Sequence, residues 1–268
     1  MSKSKKNTLL WQITGKKLPG TSYLFGTMHV RDERAFGLVS ALHKKIDECA
    51  ATATEINLQE AQHGISPTDM LLPGGKNLSD FFSKKKYDKI KKNLLKYYDF
   101  DLTPFRNFLP IMVVNMISEQ ILSDERDVNL DRWLWDYATL KGKITLGIET
   151  SCEQIEILHK IPLDYQLKAL RDVTKNIGSF KKQHTKLTEM YMRQDIRQLY
   201  KSTKKNLGKM RALMLYDRNA LMTERIVKTV HEQTLFAAVG AAHLSGKYGV
   251  IRLLKTEGLK VKPVRISD

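Results

Sequence analysis

The sequence predicts an α/β fold: a central mixed β-sheet flanked by helices, with long helical insertions between the strands. Short runs rich in β-branched and aromatic residues recur along the chain, each bounded by Gly, Pro or polar residues. The segments between them place apolar residues at helical spacing and contain few Gly or Pro. Two strands end in the same pattern, Gly-x-x-His, within SYLFGTMHV (22–30) and FAAVGAAHL (236–244). Strands that alternate with helices in this way are typical of a sheet covered by helices.

The first half of the chain begins with two strands. The segments LLWQIT (9–14) and SYLFGTMHV flank the turn GKKLPGT, so they predict a hairpin. AFGLVSALHKKID (35–47) has helical periodicity, and ATATEIN (51–57) predicts a short strand that ends in Glu55. Further helical segments are predicted at about 57–72, 77–97, 104–122 and 129–141.

The second half repeats this alternation. KITLGIE (143–149) predicts a buried strand that ends in Glu149, and the pattern from Ser151 to about Glu232 is mostly helical. TLFAAVG (234–240) predicts another strand. A helix over 246–257 and a strand over 260–266 are expected to close the chain.

The two Gly-x-x-His segments have similar surroundings. Each follows a strand and precedes a loop, a helix and a second strand, so the sheet is predicted to combine two related strand–GxxH–helix–strand halves. We expect residues 1–8 to form a flexible tail and residues 9–268 a single domain, with helical insertions at about 57–141 and 151–232.

Composition narrows the classes of function. The chain has 45 Lys and Arg against 29 Asp and Glu, a net charge of +16. Lys dominates and aromatics are not interleaved as stacking platforms, which favours solvated helix faces and makes nucleic acid an unlikely partner. No apolar run approaches the roughly 18 residues of a membrane span, and no hydrophobic signal segment is recognised. A cytoplasmic protein is expected, with export as the alternative if a signal peptide has been removed.

Chemically active side chains fall at the strand ends. These are His29, Glu55, Glu149 and His243. Ligands of α/β sheets bind beyond the carboxyl ends of strands, and imidazole with carboxylate suits Zn²⁺, Mn²⁺ or Co²⁺. We expect the glycine of each motif to let the backbone turn sharply at the strand end. The alternative is a set of ordinary loop histidines and solvated glutamates.

The segment DRNALM (217–222) contains a candidate anion-binding arginine, and an ordinary helix-surface arginine is the alternative. Arg218 and Asn219 lie between apolar helix positions, and Arg in that setting needs a carboxylate partner or a substrate anion. Asp131 lies at a predicted helix start, where N-capping would explain it. The sequence contains no H-E-x-x-H, Walker A or G-x-S-x-G pattern, so those classes of hydrolase and nucleotidase are not indicated.

Five blocks, in order, resemble the TraB/GumN family, which includes the Tiki and PrgY proteins. They are LLWQITGKKLPGTSYLFGTMHV, ATEIN, NLDRWLWDYATLKGKITLGIETSCEQ, DRNALM and FAAVGAAHLSGKYGVIRLLKTEGLKVKPV, which together extend from about Leu9 to Val264. The resemblance implies a fold like that of the erythromycin esterase and ChaN group. It also implies a divalent-metal-dependent hydrolase, a peptidase acting on a peptide or protein.

The resemblance also implies which residues form the site. These are His29, Glu55, Glu149, Arg218, Asn219 and His243. We expect His29, His243 and Glu149 to hold Mn²⁺, Co²⁺ or Zn²⁺, and Glu55 to act as the general base. Arg218 and Asn219 are expected to face the developing oxyanion or a substrate carboxylate. The alternative is a non-catalytic protein that sequesters a peptide in the same crevice.

Overall fold

The computed structural model describes residues 7–28, 33–64, 66–121 and 127–265. Within these ranges the strands form a single sheet. They are β1 (Leu10–Thr14), β2 (Ser22–Thr27), β3 (Ala51–Ile56), β4 (Ile144–Glu149), β5 (Leu235–Gly240) and β6 (Lys260–Val264). The predicted sheet flanked by helices is therefore confirmed.

The sheet is mixed, with strand order β4-β3-β5-β2-β1-β6. β1 pairs antiparallel with both β2 and β6, whereas β3 pairs parallel with β4 and β5, and β2 pairs parallel with β5. β2 is buried at every position, as expected of a central strand covered on both faces. The parallel strands bring the carboxyl ends of β2, β3, β4 and β5 to one edge of the sheet.

Helices occupy most of the remaining described chain. They are α1 (Val39–Asp47), α2 (Leu58–Gly64), α3 (Lys84–Tyr98), α4 (Pro110–Ile121), α5 (Leu130–Leu140), α6 (Ser151–Lys160), α7 (Leu163–Lys175), α8 (Ile177–Met192), α9 (Ile196–Leu207), α10 (Asp217–Glu232) and α11 (Val250–Thr256). A 3-10 helix over Glu33–Leu38 precedes α1, and a π-helix over Ala212–Tyr216 leads into α10. In the part of the chain that the structure describes, no helix has the length and apolar character needed to cross a bilayer.

The chain divides into two compact units. The first comprises Met1–Gln62, Glu125–Ser151 and Leu187–Asp268, and it contains the sheet. Its core includes Phe25 and Phe236, stacked across β2 and β5 with ring centroids 6.2 Å apart. The candidate site residues that the structure describes all belong to this unit.

The second unit, His63–Asp124 with Cys152–Lys186, is helical. Its core packs α3, α4 and α7 through one apolar face of each helix. On α3 the buried positions are Ile90, Leu94 and Tyr98, which recur every four residues. The side chain of Asn93 also donates a hydrogen bond of 2.9 Å to the Thr174 carbonyl, which ties α3 to α7.

The predicted elements agree closely with the observed ones at the strands. The helix predicted over 35–47 differs, because its first part is the 3-10 helix Glu33–Leu38 and only Val39–Asp47 is α-helical. Both Gly-x-x-His strands are followed by a helix and a parallel strand of the same sheet. The proposed relation between two halves stays a prediction, as does the single-domain boundary.

Candidate active site

Three parallel strands deliver candidate residues to one edge of the sheet. Glu55 is the penultimate residue of β3, and Glu149 is the last residue of β4. β5 ends at Gly240, and the 3-10 turn Ala241–His243 follows it directly. Because carboxyl ends of neighbouring parallel strands meet, these side chains converge although they are far apart in sequence.

Arg218, near the start of α10, links the two glutamates. Its Nε and Nη2 atoms donate to Oε1 and Oε2 of Glu149 at 2.9 and 2.5 Å, a two-point pairing of guanidinium with carboxylate. Nη2 also donates to Oε2 of Glu55 at 2.7 Å. The sequence argument that Arg218 requires an anionic partner is confirmed, and two carboxylates meet the requirement.

This ion-pair cluster is almost entirely buried. The side chains of Arg218, Glu55 and Glu149 are 12%, 9% and 0% exposed. Burial by itself would lower the pKa of Arg218, but the hydrogen bonds that it donates to Glu149 and the charges of both glutamates raise that pKa above its ordinary value. Arg218 is therefore a permanent cation that contacts two buried carboxyl groups.

Asn219 fixes the orientation of His243. The Asn219 Nδ2 atom donates to the Tyr248 carbonyl at 2.6 Å, so its Oδ1 atom faces Nδ1 of His243, also at 2.6 Å. Since an amide oxygen only accepts, Nδ1 of the imidazole must carry a proton. In the neutral ring the lone pair then lies on Nε2, which is 3.5 Å from Arg218 Nη1 and 3.9 Å from Glu55 Oε1.

This arrangement changes the expectation for Asn219. The residue is fully buried, and both polar atoms of its amide are engaged by protein groups. Such a side chain orients the imidazole, in the way that outer hydrogen-bond partners orient metal-binding histidines, and does not present a donor to an oxyanion.

The two motif glycines are required by close packing, not by a turn. Gly240 has φ −53° and ψ 132°, which any residue adopts, and Gly26 does not have a positive φ either. A Cβ on Gly26 would lie 2.7 Å from Leu244 and 3.0 Å from the Ala241 backbone. The expectation of a sharp glycine turn was wrong. The glycines keep β2 and β5 close to the turn that carries His243.

Glu55 is held by the same turn. The Gly240 N–H donates to Glu55 Oε1 at 2.7 Å, and a Cβ on Gly240 would lie 3.1 Å from that oxygen. Glu55 therefore accepts a backbone hydrogen bond on one oxygen and the Arg218 hydrogen bond on the other. Both interactions favour its ionised form.

Sequence reasoning missed a buried hydrogen bond beside the first motif. Thr27 Oγ1 donates to Asp131 Oδ1 at 2.7 Å, and both residues are buried. Asn129, not Asp131, is the N-cap of α5, so the capping explanation for Asp131 was wrong. The signal was present, because Asp131 lies on the buried face of α5 with Leu130 and Leu134.

The structure brings five of the six predicted site residues together. They are Glu55, Glu149, Arg218, Asn219 and His243. The sixth, His29, lies outside the described residues, so its contact with His243 stays a prediction. Thr27, two positions before it, pairs with Gly240 in the sheet, which places the two motifs on adjacent parallel strands.

Among the described residues, His243 and Glu55 bear on the predicted metal site. The Nε2 atom of His243 is the candidate metal donor, and it lies 3.9 Å from Oε1 of Glu55. Among the described residues no group of three or more His, Cys, Asp or Glu is arranged to hold a metal ion, so the metal site stays a prediction.

Comparison with known proteins finds distantly similar sequences. The chain is 23% identical over 322 aligned residues to a zebrafish (Danio rerio) protein named Metalloprotease TIKI2, covering 98% of this chain and 62% of the relative. A Xenopus tropicalis protein of the same name is 24% identical over 318 residues, covering 96% of this chain and 60% of the relative. This chain thus spans less than two thirds of either relative. No solved structure gives a significant match.

The family assignment rests on a match over nearly the whole chain. The model of the TraB/PrgY/gumN family matches residues 9–263, a range that includes every candidate residue named above. The protein therefore belongs to the TraB/PrgY/gumN family.

Proposed function

We propose that this protein is a divalent-metal-dependent hydrolase that cleaves peptide bonds. The observation that carries the proposal is the buried Glu55–Arg218–Glu149 cluster beside an imidazole whose tautomer Asn219 fixes. Buried ion pairs are a weak source of stability, because desolvating the charges offsets most of their attraction. A cluster of this kind at the carboxyl edge of a parallel sheet is better explained by chemistry than by folding.

His243 would hold the metal through Nε2, and His29 would be its second imidazole donor. A bound ion would supply Lewis acidity and a bound water that ionises near pH 7. The proton that Asn219 holds on Nδ1 leaves the donor lone pair of His243 on Nε2, which lies 3.9 Å from Glu55 Oε1. Mn²⁺, Co²⁺ and Zn²⁺ all accept imidazole and carboxylate donors.

Glu55 would act as the general base. Its Oε1 atom lies on the His243 side of the cluster, and the hydrogen bonds from Arg218 and Gly240 keep the carboxylate ionised. An ionised carboxylate in this position accepts a proton from an attacking water. The Nη1 atom of Arg218, 3.5 Å from His243 Nε2, would stabilise negative charge on the substrate carbonyl oxygen.

Glu149 would position Arg218. Both of its oxygens accept hydrogen bonds from the guanidinium, and its side chain is fully buried. This proposal differs from the sequence-based expectation of Glu149 as a metal ligand. The two roles are separable, because a positioning residue can be changed without a proportionate loss of metal affinity.

The relatives support the choice of a peptide or protein as substrate. Both similar proteins are named metalloproteases. The second candidate function is sequestration of a peptide in the same crevice without cleavage. It uses the same residues, and only turnover distinguishes the two.

The test is a cleavage assay with a peptide library and each of Mn²⁺, Co²⁺ and Zn²⁺. We expect metal-dependent cleavage by the wild type, and a loss of roughly 10²- to 10⁴-fold in kcat for Glu55→Gln with metal affinity retained. Glu60→Gln is the matched control, since Glu60 is an exposed glutamate five residues further along the chain. It should cleave at the wild-type rate.

Three results would change the proposal. If Glu55→Gln loses both its metal affinity and its turnover, Glu55 would be a metal ligand. Saturable peptide binding with no cleavage under any metal would support sequestration. Equal cleavage by wild type and Glu55→Gln would remove Glu55 from the mechanism.

A further inference from the structure

The helical unit contains a cavity of about 290 Å³ between α3 and α7. Its apolar surface includes Phe82 and Ile90, and Ile90 is only 5% exposed. Four cationic side chains also line it: Lys86, Lys89, Arg171 and Lys175. All of its lining residues belong to the second unit, so it is separate from the candidate active site.

Helical spacing explains why these side chains converge. Positions 86, 89, 90 and 93 lie on one face of α3, and positions 171, 174 and 175 lie on one face of α7. The Asn93–Thr174 hydrogen bond holds the two faces together, which gives the cavity a fixed wall.

The lining of the cavity is basic, and Asp164 and Asp172 line a neighbouring pocket together with Arg171 and Lys175. No acidic side chain lines the cavity itself, and within the described ranges none of the four cations forms an ion pair. Two acids are sequence neighbours of the lining cations: Asp172, next to Arg171, pairs with Lys168 at 2.8 Å, and Asp88, next to Lys89, does not line the cavity. The Arg171 guanidinium lies 6.0 Å from the centroid of the Phe82 ring, so a cation stands directly beside the apolar wall.

We propose that this cavity binds a small amphipathic anion, an alkyl or aryl group that ends in a carboxylate or phosphate. The apolar part would pack on Phe82 and Ile90, and the anionic group would contact the surrounding lysines and Arg171. The volume lies at the lower end of ligand pockets, roughly 300 Å³, which selects a short chain or one or two rings.

Fluorescence of 8-anilinonaphthalene-1-sulfonate, an aryl anion, provides the direct test. We expect saturable binding to the full chain, displaced by octanoate and octyl phosphate but not by octanol or octyltrimethylammonium. Each additional methylene of a carboxylate competitor that enters the cavity should strengthen displacement about fourfold. Raising the salt concentration should weaken binding, because the exposed cations are screened.

Charge-matched variants identify the cavity. Lys89→Gln with Arg171→Gln should weaken binding at least about fivefold. Lys92→Gln with Lys96→Gln removes the same charge from α3 residues that do not line the cavity, and it should change binding less than about twofold. Unchanged melting curves for both pairs establish that each is folded, as expected for exposed side chains.

The proposal is overturned if both pairs weaken binding equally, which would indicate general electrostatic attraction. It is also overturned if octanol competes as well as octanoate. A third result would also overturn it: binding only to vesicles that contain anionic phospholipid, with no binding of monomeric octanoate or octyl phosphate. The four cationic lining residues would then contact a membrane surface.

Discussion

Arg218 compensates two buried carboxylates at once. Replacing it with methionine leaves Glu55 and Glu149 buried without their cation, and breaking a buried pair in this way costs about 3–5 kcal/mol. We therefore expect Arg218→Met to lower the free energy of unfolding by that amount in urea titrations. Arg132→Met is the control, because Arg132 pairs with exposed Asp136 and should cost less than about 1 kcal/mol. Equal losses in the two variants would contradict the account.

Individual residues show what sequence can and cannot predict. Arg218 was predictable because an arginine between apolar helix positions demands an anion. That Arg218 would pair with both Glu55 and Glu149 was not predictable from local pattern, since β3 and β4 are about 90 residues apart. Nor was the use of the Asn219 amide, because only the fold brings the Tyr248 carbonyl to it.

At the scale of elements, the packing of β2 against the turn Ala241–His243 depends on Gly26. Gly26→Ala inserts a methyl group 2.7 Å from Leu244 and 3.0 Å from backbone, so the turn must shift. We expect a loss of about 1–3 kcal/mol in unfolding free energy, typical of overpacking. Gly37→Ala, where a Cβ meets nothing within 4 Å, should be neutral or slightly stabilising. A neutral Gly26→Ala in the same denaturation experiment would refute the packing argument.

His43, on α1, packs against α5, and its surroundings predict that stability depends on pH. Its ring stacks on Trp133 and Tyr137, with centroids 4.4 and 3.6 Å away, and its Nε2 is buried without a hydrogen-bond partner in the described structure. Burial lowers the pKa of His43, opposed by the charge of Asp47. Between that lowered value and about 6.5 the unfolded chain binds more protons, so stability falls as pH drops through this window.

The variant His43→Phe keeps the aromatic stack and removes the titrating group. We expect its unfolding free energy to depend less on pH below about 6.5 than that of the wild type. Part of the dependence should remain, because burial also lowers the pKa of His184. Identical pH profiles for the two proteins, measured by urea unfolding from pH 5 to 8, would contradict this assignment.

Element boundaries were largely predictable, and their arrangement was not. Residue patterns are local, so they placed strands such as Ala51–Ile56 and Leu235–Gly240 to within a residue or two. The order β4-β3-β5-β2-β1-β6 depends on pairings between distant segments, and no local pattern encodes it. The 3-10 helix Glu33–Leu38 was also missed, because its apolar spacing resembles that of an α-helix.

At the scale of the whole molecule, the proposed function requires that the folded chain bind a divalent ion. The site residues His243 and Glu55 converge only after β3 and β5 have paired, so the unfolded chain has no equivalent site. Metal binding should therefore raise the melting temperature through mass action. The size of the shift is set by the affinity and by the entropy of unfolding.

The most direct measurement is the melting temperature with and without Mn²⁺, Co²⁺ or Zn²⁺ at neutral pH. At a hundredfold excess of the ion over Kd, the free energy of unfolding should rise by about 2.7 kcal/mol. Each kcal/mol raises the melting temperature of a chain of this size by roughly 2–4 °C. The gain should shrink below about pH 6, where protons compete for the imidazoles, and His29→Ala with His243→Ala should abolish it while the protein remains folded. If none of the three ions changes the melting temperature of the wild type or of the folded double variant, the metal site is contradicted. Peptide sequestration would then be the better account.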